Sequence, residues 1–376
     1  MLVTPPDEGG HSWRHIVRKP RKKLALLAVA LIATAGTLTA CTSNGSDAES
    51  TDGGGGDTIK IGLLLPESKT TRYESFDRPL FEEKLKSLGD YEIIYANADQ
   101  DAAKQQQQAE SALTEGIKVL VLDPVDGAAA ASIAESASAQ DVPVVSYDRL
   151  IKSDKVTYYI SFDNEQVGVL QGTALVDRLT KDGTTTGLIM INGSPTDANA
   201  AEFKKGAHSV IDPSGIPILA EYDTPDWSPD KAQEWAAGQI TQFGDEMSGI
   251  YAANDGTAGG AIAAVKAAGT EPIPPVTGQD AELAAIQRIV AGDQYMTVYK
   301  AIKLEAERAA EVAHQLAQGD TPEPDTTFQD IPSTLLTPVM VTVDNIQETV
   351  IDDGFYTVDD ICTAEYADAC AKAGLQ

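Results

Sequence analysis

Short apolar runs alternate with longer helix-like segments through most of this chain. The runs Lys118–Pro124 (KVLVLDP) and Val142–Tyr147 (VPVVSY) are rich in Val and Leu and end at proline or acidic residues. The intervening segments, such as Asp101–Gly116, are rich in Ala and Gln and stop at glycine. Near-continuous apolar strands separated by helices predict parallel sheets that are covered on both faces. The strand–helix units are too numerous for one small sheet, so we predict an α/β chain with two doubly wound lobes.

The first 57 residues predict export rather than a fold. Basic residues precede an uncharged apolar run, Leu24–Ala40, which is typical of a secretory signal peptide over residues 1–40. Small residues before Cys41 resemble a bacterial lipobox, which predicts lipidation of Cys41. The alternative is a transmembrane anchor, but the run is 17 residues long and contains Thr and Gly. Residues 41–57 are small, polar and Gly-rich, which predicts a flexible tether. We therefore expect an extracytoplasmic protein held at the cell membrane only by its N-terminal lipid.

Cysteine and histidine positions restrict the chemistry available to the exported part. Cys362 and Cys370 are eight positions apart, which predicts a local disulfide in an oxidising compartment, although two free thiols are the alternative. The only histidines after the leader are His208 and His314, and neither is near the cysteines in sequence. We therefore predict no metal site and no cofactor.

The net charge is strongly negative. It is −29 for the whole chain and −33 from residue 41 onward, because the leader holds six of the 28 basic residues and two of the 57 acidic ones. Such a surface repels nucleic acid and anionic membrane. An acidic soluble exterior is a sufficient interpretation.

Polar and aromatic residues cluster in the loops that follow the predicted strands. In open α/β sheets, ligands bind beyond the carboxyl ends of the strands. Carboxylates accept hydrogen bonds from sugar hydroxyls, Arg and Lys donate to them, Asn does both, and aromatic rings cover the apolar C–H faces. Such residues predict a sugar-binding site, and they are Arg72, Tyr73, Asp148, Arg149, Asp163, Asn164, Asp197, Asn199, Trp227, Asn254, Asp255 and Asp280, with Lys300 at the end of MTVYK as a further candidate.

Each member of this group also has a purely structural interpretation. Aspartate is favoured at helix N-caps and asparagine in turns. The alternatives are N-caps for Asp148 and Asp280, a surface ion pair for Arg149, a turn for Asn254, packing for Trp227 and a solvated side chain for Lys300. We interpret Asp123, in LDPVDG, as a turn residue rather than a member of the group. The cluster as a whole supports a binding site better than any single residue does.

Seven motifs, in order along the chain, resemble a known family. They are KIGLLLPESKTTRY, VPVVSYDRLI, YYISFDNEQVG, NGSPTDANA, AANDGTAGGAI, TGQDAELAAIQRIVAGDQYMTVYK and PSTLLTPV. The chain from about Ile59 to Gly354 resembles the bacterial D-xylose-binding periplasmic proteins, which belong to the ribose- and galactose-binding type I solute-binding group. The resemblance implies a predicted site of ten residues, because the family's sugar contacts match Arg72, Tyr73, Asp148, Arg149, Asp197, Asn199, Trp227, Asn254, Asp280 and Lys300.

The resemblance implies two Rossmann-like lobes with the sugar buried between them. It implies three hinge crossings, which we place near 162–163, near Lys300 and near 331–333. The expected lobes are 58–162 plus 301–332, and 163–300 plus 333–376. This sequence departs from the family pattern in three places. Tyr73 stands where the family often has Trp, the first loop is one residue longer, and the tail with Cys362 and Cys370 is an addition. The lipid anchor indicates a cell without an outer-membrane-enclosed periplasm.

The function that the resemblance implies is capture and delivery rather than catalysis. A monomeric binding protein would close on D-xylose or a related aldose and deliver it to the permease of an ABC importer. One alternative is a sugar receptor for chemotaxis or for a sensor kinase. Another is a carbohydrate-active enzyme with paired carboxylates. A transcriptional regulator would need a helix-turn-helix and a basic face, where this sequence has a leader and an acidic composition.

Overall fold

The computed structural model describes residues 58–375. The predicted signal peptide, the tether and Cys41 lie outside the described residues. The alternation seen in the sequence is present as strands and helices. The strands are β1 (Ile59–Leu65), β2 (Tyr91–Asn97), β3 (Val119–Leu122), β4 (Val144–Tyr147), β5 (Tyr158–Phe162), β6 (Leu188–Asn192), β7 (Ile218–Asp223), β8 (Gly249–Ala252), β9 (Thr297–Tyr299), β10 (Thr326–Phe328), β11 (Ile331–Leu336) and β12 (Val339–Val341).

The helices follow the strands along the chain. They are α1 (Arg78–Leu88), α2 (Ala102–Thr114), α3 (Ala131–Ser138), α4 (Asn164–Asp182), α5 (Ala198–Ser214), α6 (Pro229–Phe243), α7 (Asp255–Ala268), α8 (Leu283–Ala291), α9 (Ile302–Gln318), α10 (Val358–Ile361) and α11 (Ala367–Ala373). Single helical turns occur at Tyr73–Asp77, Pro225–Trp227, Gly244–Glu246 and Gln347–Ile351.

The larger sheet has seven strands in the order β10-β11-β5-β4-β3-β1-β2. All neighbours are parallel except β10, which runs antiparallel to β11 at the edge. Residues of α1 and α9 pack on one face, and residues of α2 and α3 pack on the other. Because both faces are covered, every residue of β3 is buried, which explains its uninterrupted apolar sequence. We call this sheet with α1–α3 and α9 the first lobe.

The second lobe is built on a smaller parallel sheet, β7-β6-β8. Helices α4 and α5 pack on one face of it and α6 and α7 on the other. Backbone bonds extend the layer beyond β8, because Thr277 N donates to Ile250 O at 3.1 Å and Asp280 N donates to Val298 O at 2.9 Å. Strand β9 then pairs antiparallel with β12.

The chain passes three times between the lobes. The first passage is at Asp163, between β5 and α4, and the second is at Lys300, between β9 and α9. The third lies between Leu336 and Val339, because β11 stays paired with β5 through Leu336 and β12 joins the second lobe. The predicted position of this third crossing, 331–333, is therefore a few residues too early, and residues 333–336 belong to the first sheet.

The C-terminal tail packs on α8 of the second lobe. Apolar residues of α8, β9 and the tail form one cluster that includes Ile286, Val350 and Cys370. A disulfide joins Cys362 to Cys370. Within residues 58–375, no helix has the length and apolar character that crossing a membrane requires.

Candidate functional site

All ten residues predicted for the site line a single cavity between the two lobes. Three residues that the sequence analysis did not select also line it, namely Thr70, Phe203 and Gln279. The cavity has a volume of about 20 Å³, which is room for about one water molecule. The side chains from the two lobes are therefore in close contact with each other.

The first lobe contributes loops that follow β1 and β4. Arg72 and Tyr73 lie in the connection between β1 and α1, and Asp148 and Arg149 directly follow β4. Parallel strands end at the same edge of a sheet, so these side chains meet although they are distant in sequence. Asp148 has a left-handed backbone with φ of 51°, which turns the chain sharply at the end of the strand.

The second lobe contributes the starts of two helices and the ends of its strands. Asp197 is the N-cap of α5 and Asn254 is the N-cap of α7. Trp227 lies in the loop after β7, and Asp280 follows the irregular segment beside β9. Lys300 follows β9 at the second passage between the lobes, so it reaches residues of both.

Arg72 is held by carboxylates on several sides. Its Nε and Nη2 donate to the two oxygens of Asp77 at 2.9 and 2.6 Å, and Nη2 also donates to Glu305 Oε2 at 2.6 Å. The remaining nitrogen, Nη1, donates to Asp148 Oδ1 at 3.2 Å. Burial would lower the pKa of Arg72, but the surrounding carboxylates raise it, so the guanidinium stays charged.

Asp148 lies at the centre of the charged network. It accepts hydrogen bonds from Arg72 and from the Tyr73 hydroxyl at 3.2 Å, and Lys300 Nζ lies 3.7 Å away. Burial alone would raise its pKa, but the cations around it lower the pKa of Asp148 to about 2. Lys300 also pairs with Asp280 at 3.0 Å. The Lys300 pKa is raised because these carboxylates outweigh its burial.

Arg149 and Asp197 form a direct ion pair between the two lobes. Arg149 Nε lies 3.0 Å from Asp197 Oδ2, and the Trp227 indole N–H donates to the same oxygen at 3.0 Å. Burial raises the pKa of the Asp197 carboxyl, although Arg149 opposes the shift. Asn199 adds a second link between the lobes, because its Nδ2 donates to Asp148 O at 3.0 Å.

The geometry excludes the structural alternatives for four of these residues. Asp148 caps no helix, and the N-cap of α8 is Glu282 rather than Asp280. Lys300 and Arg149 are buried rather than solvated. Asn254 and Trp227 combine both roles. Asn254 caps α7 through Thr257, while Trp227 packs edge-on against Phe203 at 6.3 Å, and both line the cavity.

Asp123 does not line the cavity, as predicted, but it is a buried residue beside Arg149 rather than a turn residue. Its side chain is fully buried, lies 3.7 Å from Arg149 Nε, and accepts no hydrogen bond among the residues that the structure describes. Burial raises the pKa of Asp123 well above its ordinary value. It follows β3 in the same way that Asp148 follows β4, so the strand-end rule could have identified it.

Three polar atoms of cavity-lining residues form no hydrogen bond within residues 58–375. They are Gln279 Oε1, and Arg149 Nε and Asp280 Oδ1, which instead form 3.0 Å ion pairs with Asp197 and Lys300. The lining itself holds three cations (Arg72, Arg149, Lys300) and three carboxylates (Asp148, Asp197, Asp280), and further buried carboxylates lie behind Arg72 and Arg149. A neutral ligand that carries both donors and acceptors matches this lining. Within the described part of the chain, no group of three or more His, Cys, Asp or Glu residues could hold a metal ion.

Comparison with known proteins agrees with the fold. A family model described as periplasmic binding protein domain matches residues 61–321. The chain is 38% identical to the D-xylose-binding periplasmic protein of Escherichia coli (strain K12) over 306 residues, which covers 79% of this chain and 91% of that protein.

Two solved structures are also similar over nearly their whole length. One is a carbohydrate transporter solute binding protein from Chloroflexus aurantiacus in complex with D-glucose, with a TM-score of 0.75 and 32% identity, covering 81% of this chain and 98% of that one. The other is an ABC transporter solute binding protein from Clostridium phytofermentans with bound β-D-glucose, with a TM-score of 0.75 and 30% identity, covering 80% and 99%.

Proposed function

The chain belongs to the periplasmic binding protein family, and from this premise we propose that it binds a neutral monosaccharide, D-xylose or a related aldose, and delivers it to the permease of an ABC importer. The observation that carries the proposal is the convergence of donors, acceptors and aromatic rings from both lobes on one cavity. A ligand that contacts both walls stabilises the closed form through contacts that an open form cannot make.

The present contacts indicate how a sugar would be accommodated. The cavity of about 20 Å³ is too small for a pyranose, so the lobes must separate slightly or the side chains must rotate. Sugar hydroxyls would then replace the direct contacts, such as the one between Arg149 and Asp197. A hydroxyl both donates and accepts, so each charged group keeps a partner. A uronic acid would add a fourth negative charge, and an amino sugar a fourth positive one.

The proposed role is binding without turnover. A glycosidase needs a carboxylic acid that is protonated near neutral pH beside a second, ionised carboxylate. Asp148 stays ionised, since its pKa is about 2. Burial raises the pKa of Asp197, so among the cavity carboxyls it is the best candidate for a general acid. It already accepts hydrogen bonds from the Trp227 indole and the Asn199 backbone, however. Product analysis after incubation with aryl xylosides and glucosides should show no hydrolysis.

Export and anchoring complete the proposal. We place the lipid on Cys41, and residues 41–57 would tether the binding lobes near the permease. Mass spectrometry of membrane-extracted protein, compared with a Cys41→Ala variant, would reveal the lipid as an added mass on the new N-terminal residue.

The decisive experiment is a thermal-shift screen against D-xylose, D-glucose, L-arabinose, D-ribose, D-glucuronate and D-glucosamine, followed by titration calorimetry. Neutral aldoses should raise the melting temperature, whereas the two charged sugars should not. Asp280→Asn should weaken binding of the best sugar about 10- to 100-fold, because a hydrogen bond to a charged group contributes about 1.5–3 kcal/mol.

The matched control is Asp154→Asn, which makes the same chemical change on an exposed loop. It should bind sugar as the wild type does. A panel in which no sugar shifts the melting temperature would refute the proposed function. Equal affinities in the Asp280 and Asp154 variants would refute the site.

A further inference from the structure

A second, larger cavity lies beside the buried one, and we call it the side pocket. Its volume is about 260 Å³, close to the lower end of the range, about 300 Å³, for small-molecule sites. Asp197 and Asn199 line both cavities and form the wall between them. The residues that matter here are Tyr159, Phe162, Asn164, Ala201, Phe328 and Leu335.

The side pocket has an aromatic wall from the first lobe. Phe328 of β10 and Tyr159 of β5 lie with ring centroids 5.7 Å apart, and Leu335 of β11 also lines this wall. The opposite wall is the first turns of α4 and α5 in the second lobe. A molecule in the side pocket therefore touches both lobes at once.

The second wall carries an acceptor without a partner. Asn164 is 6% exposed, and its Nδ2 donates to Ser161 Oγ at 3.0 Å. Its Oδ1 accepts no hydrogen bond within the described residues. This oxygen is enclosed in the present structure, so the Asn164 side chain must rotate before a ligand donor can satisfy it. The rim adds further acceptors, the carboxylates of Asp163 and Glu202.

We propose that the side pocket binds a second small molecule, a hydroxylated ring with an apolar face, and that its occupation favours the closed form. The apolar face would pack against Phe328 and Tyr159, and hydroxyls would donate to the rim carboxylates and, once its side chain rotates, to Asn164 Oδ1. Because such a ligand would bridge β10 of the first lobe and α5 of the second, we expect it to bind the closed form better than an open one. By linkage, a ligand in the side pocket raises the affinity of the buried cavity for sugar. Bound sugar raises the affinity of the side pocket for its ligand by the same factor.

The effect of the side-pocket ligand on sugar affinity rests on the proposed function, but binding of a ligand in the side pocket does not. The probe is trans-1,2-cyclohexanediol, which has a hydroxyl pair and an apolar ring. Saturation-transfer NMR of the diol with the protein, without sugar, should show contact with the ring protons. Titration of the best aldose in saturating diol should give about a fivefold lower Kd, within the usual range for coupled sites.

Two variants assign the effect to the side pocket. Ala201→Trp places an indole in the pocket from an exposed position of α5, and Phe328→Ala removes the aromatic wall. Neither residue lines the buried cavity, so both variants should still bind sugar. Both should lose the NMR contact and the effect of the diol on Kd. No NMR contact in the wild type, or an unchanged diol effect in Ala201→Trp, would overturn the proposal. Failure of sugar binding with the NMR contact intact would instead refute only the proposed function.

Discussion

Gly193 lies directly against the indole ring of Trp227. A Cβ atom at this position would be 2.0 Å from the Trp227 ring, so any side chain must displace it. We expect Gly193→Ala to break the indole hydrogen bond to Asp197 and to weaken sugar binding about tenfold or more. Titration calorimetry measures the change. Gly238→Ala in α6 is the control, because nothing lies within 4 Å of its Cβ. Unaltered affinity in both variants would show that the position of the indole does not matter.

The low pKa of Asp148 predicts how stability depends on pH. An aspartate that titrates near 2 when folded and near 3.9 when unfolded stabilises the folded state above about pH 4. This contribution, on the order of 2 kcal/mol, is lost as the pH falls from about 4 to about 2. Urea unfolding at pH 6 and pH 3 should therefore show a stability gap between wild type and Asp148→Asn that narrows in acid. A gap of constant size would contradict the assignment of the low pKa.

Residue types and their places after strands predicted a wider group of candidates, and the family resemblance narrowed it to the ten residues that line the cavity. Neither predicted every residue of the charged network. Phe203 was missed because it lies one turn beyond Asn199 inside α5, where an aromatic residue in an Ala-rich helix indicates only packing. Glu305 was missed because it lies within α9, and only the folded chain brings it to 2.6 Å from Arg72. Sequence patterns show which residues follow strands but not which helix faces turn toward them.

At the scale of elements, long apolar runs were predictable and short irregular strands less so. Strands β1 to β8 coincide with the apolar runs of the sequence, within a residue or two. The layer beyond β8 is formed by the segment around Val276, where Pro274 and Pro275 cannot donate backbone hydrogen bonds. Such a segment has little strand pattern, and its position depends on the bonds that Ile250 and Val298 supply.

Two helices owe their positions to glycines at a crossing. A Cβ on Gly168 of α4 would lie 1.9 Å from Phe203 O, and one on Gly206 of α5 would lie 2.0 Å from Glu165 O. The backbones of α4 and α5 therefore approach more closely than larger residues allow. This contact fixes the first turns of both helices, and these turns carry Asn164, Asp197 and Asn199. The sequence contains the glycines, but it does not show that they face each other.

At the scale of the whole molecule, periodicity predicted two lobes and the family resemblance predicted three passages between them. The third passage was placed too early because STLL in β11 has no feature that separates strand from hinge. The end of the strand is visible only in the structure, where β11 stays paired with β5 through Leu336. The contacts that close the lobes were not predictable either, since each joins segments that are far apart in sequence, for example Phe76 and Phe355.

One of these contacts outside the cavity is aromatic. Phe76 follows the loop that carries Arg72 and Tyr73, and its ring stacks on Phe355 at 4.3 Å and meets Tyr356 edge-on at 5.7 Å. Phe355 belongs to the tail of the second lobe, where it also contacts Tyr299 at 5.2 Å. Opening the lobes must separate Phe76 from Phe355, so the stack stabilises the closed form.

Phe76→Ala should therefore speed sugar release without touching the sugar. An aromatic pair contributes about 0.5–1.5 kcal/mol beyond its buried area, so the dissociation rate should rise about two- to tenfold while the association rate changes little. Stopped-flow fluorescence measures both rates. Trp235→Ala is the matched control, since the Trp235–Tyr222 stack at 5.3 Å lies entirely within the second lobe. It should lower the melting temperature and leave the release rate unchanged. If the two variants release sugar equally fast, or if Phe76→Ala slows only association, the stack does not hold the lobes together.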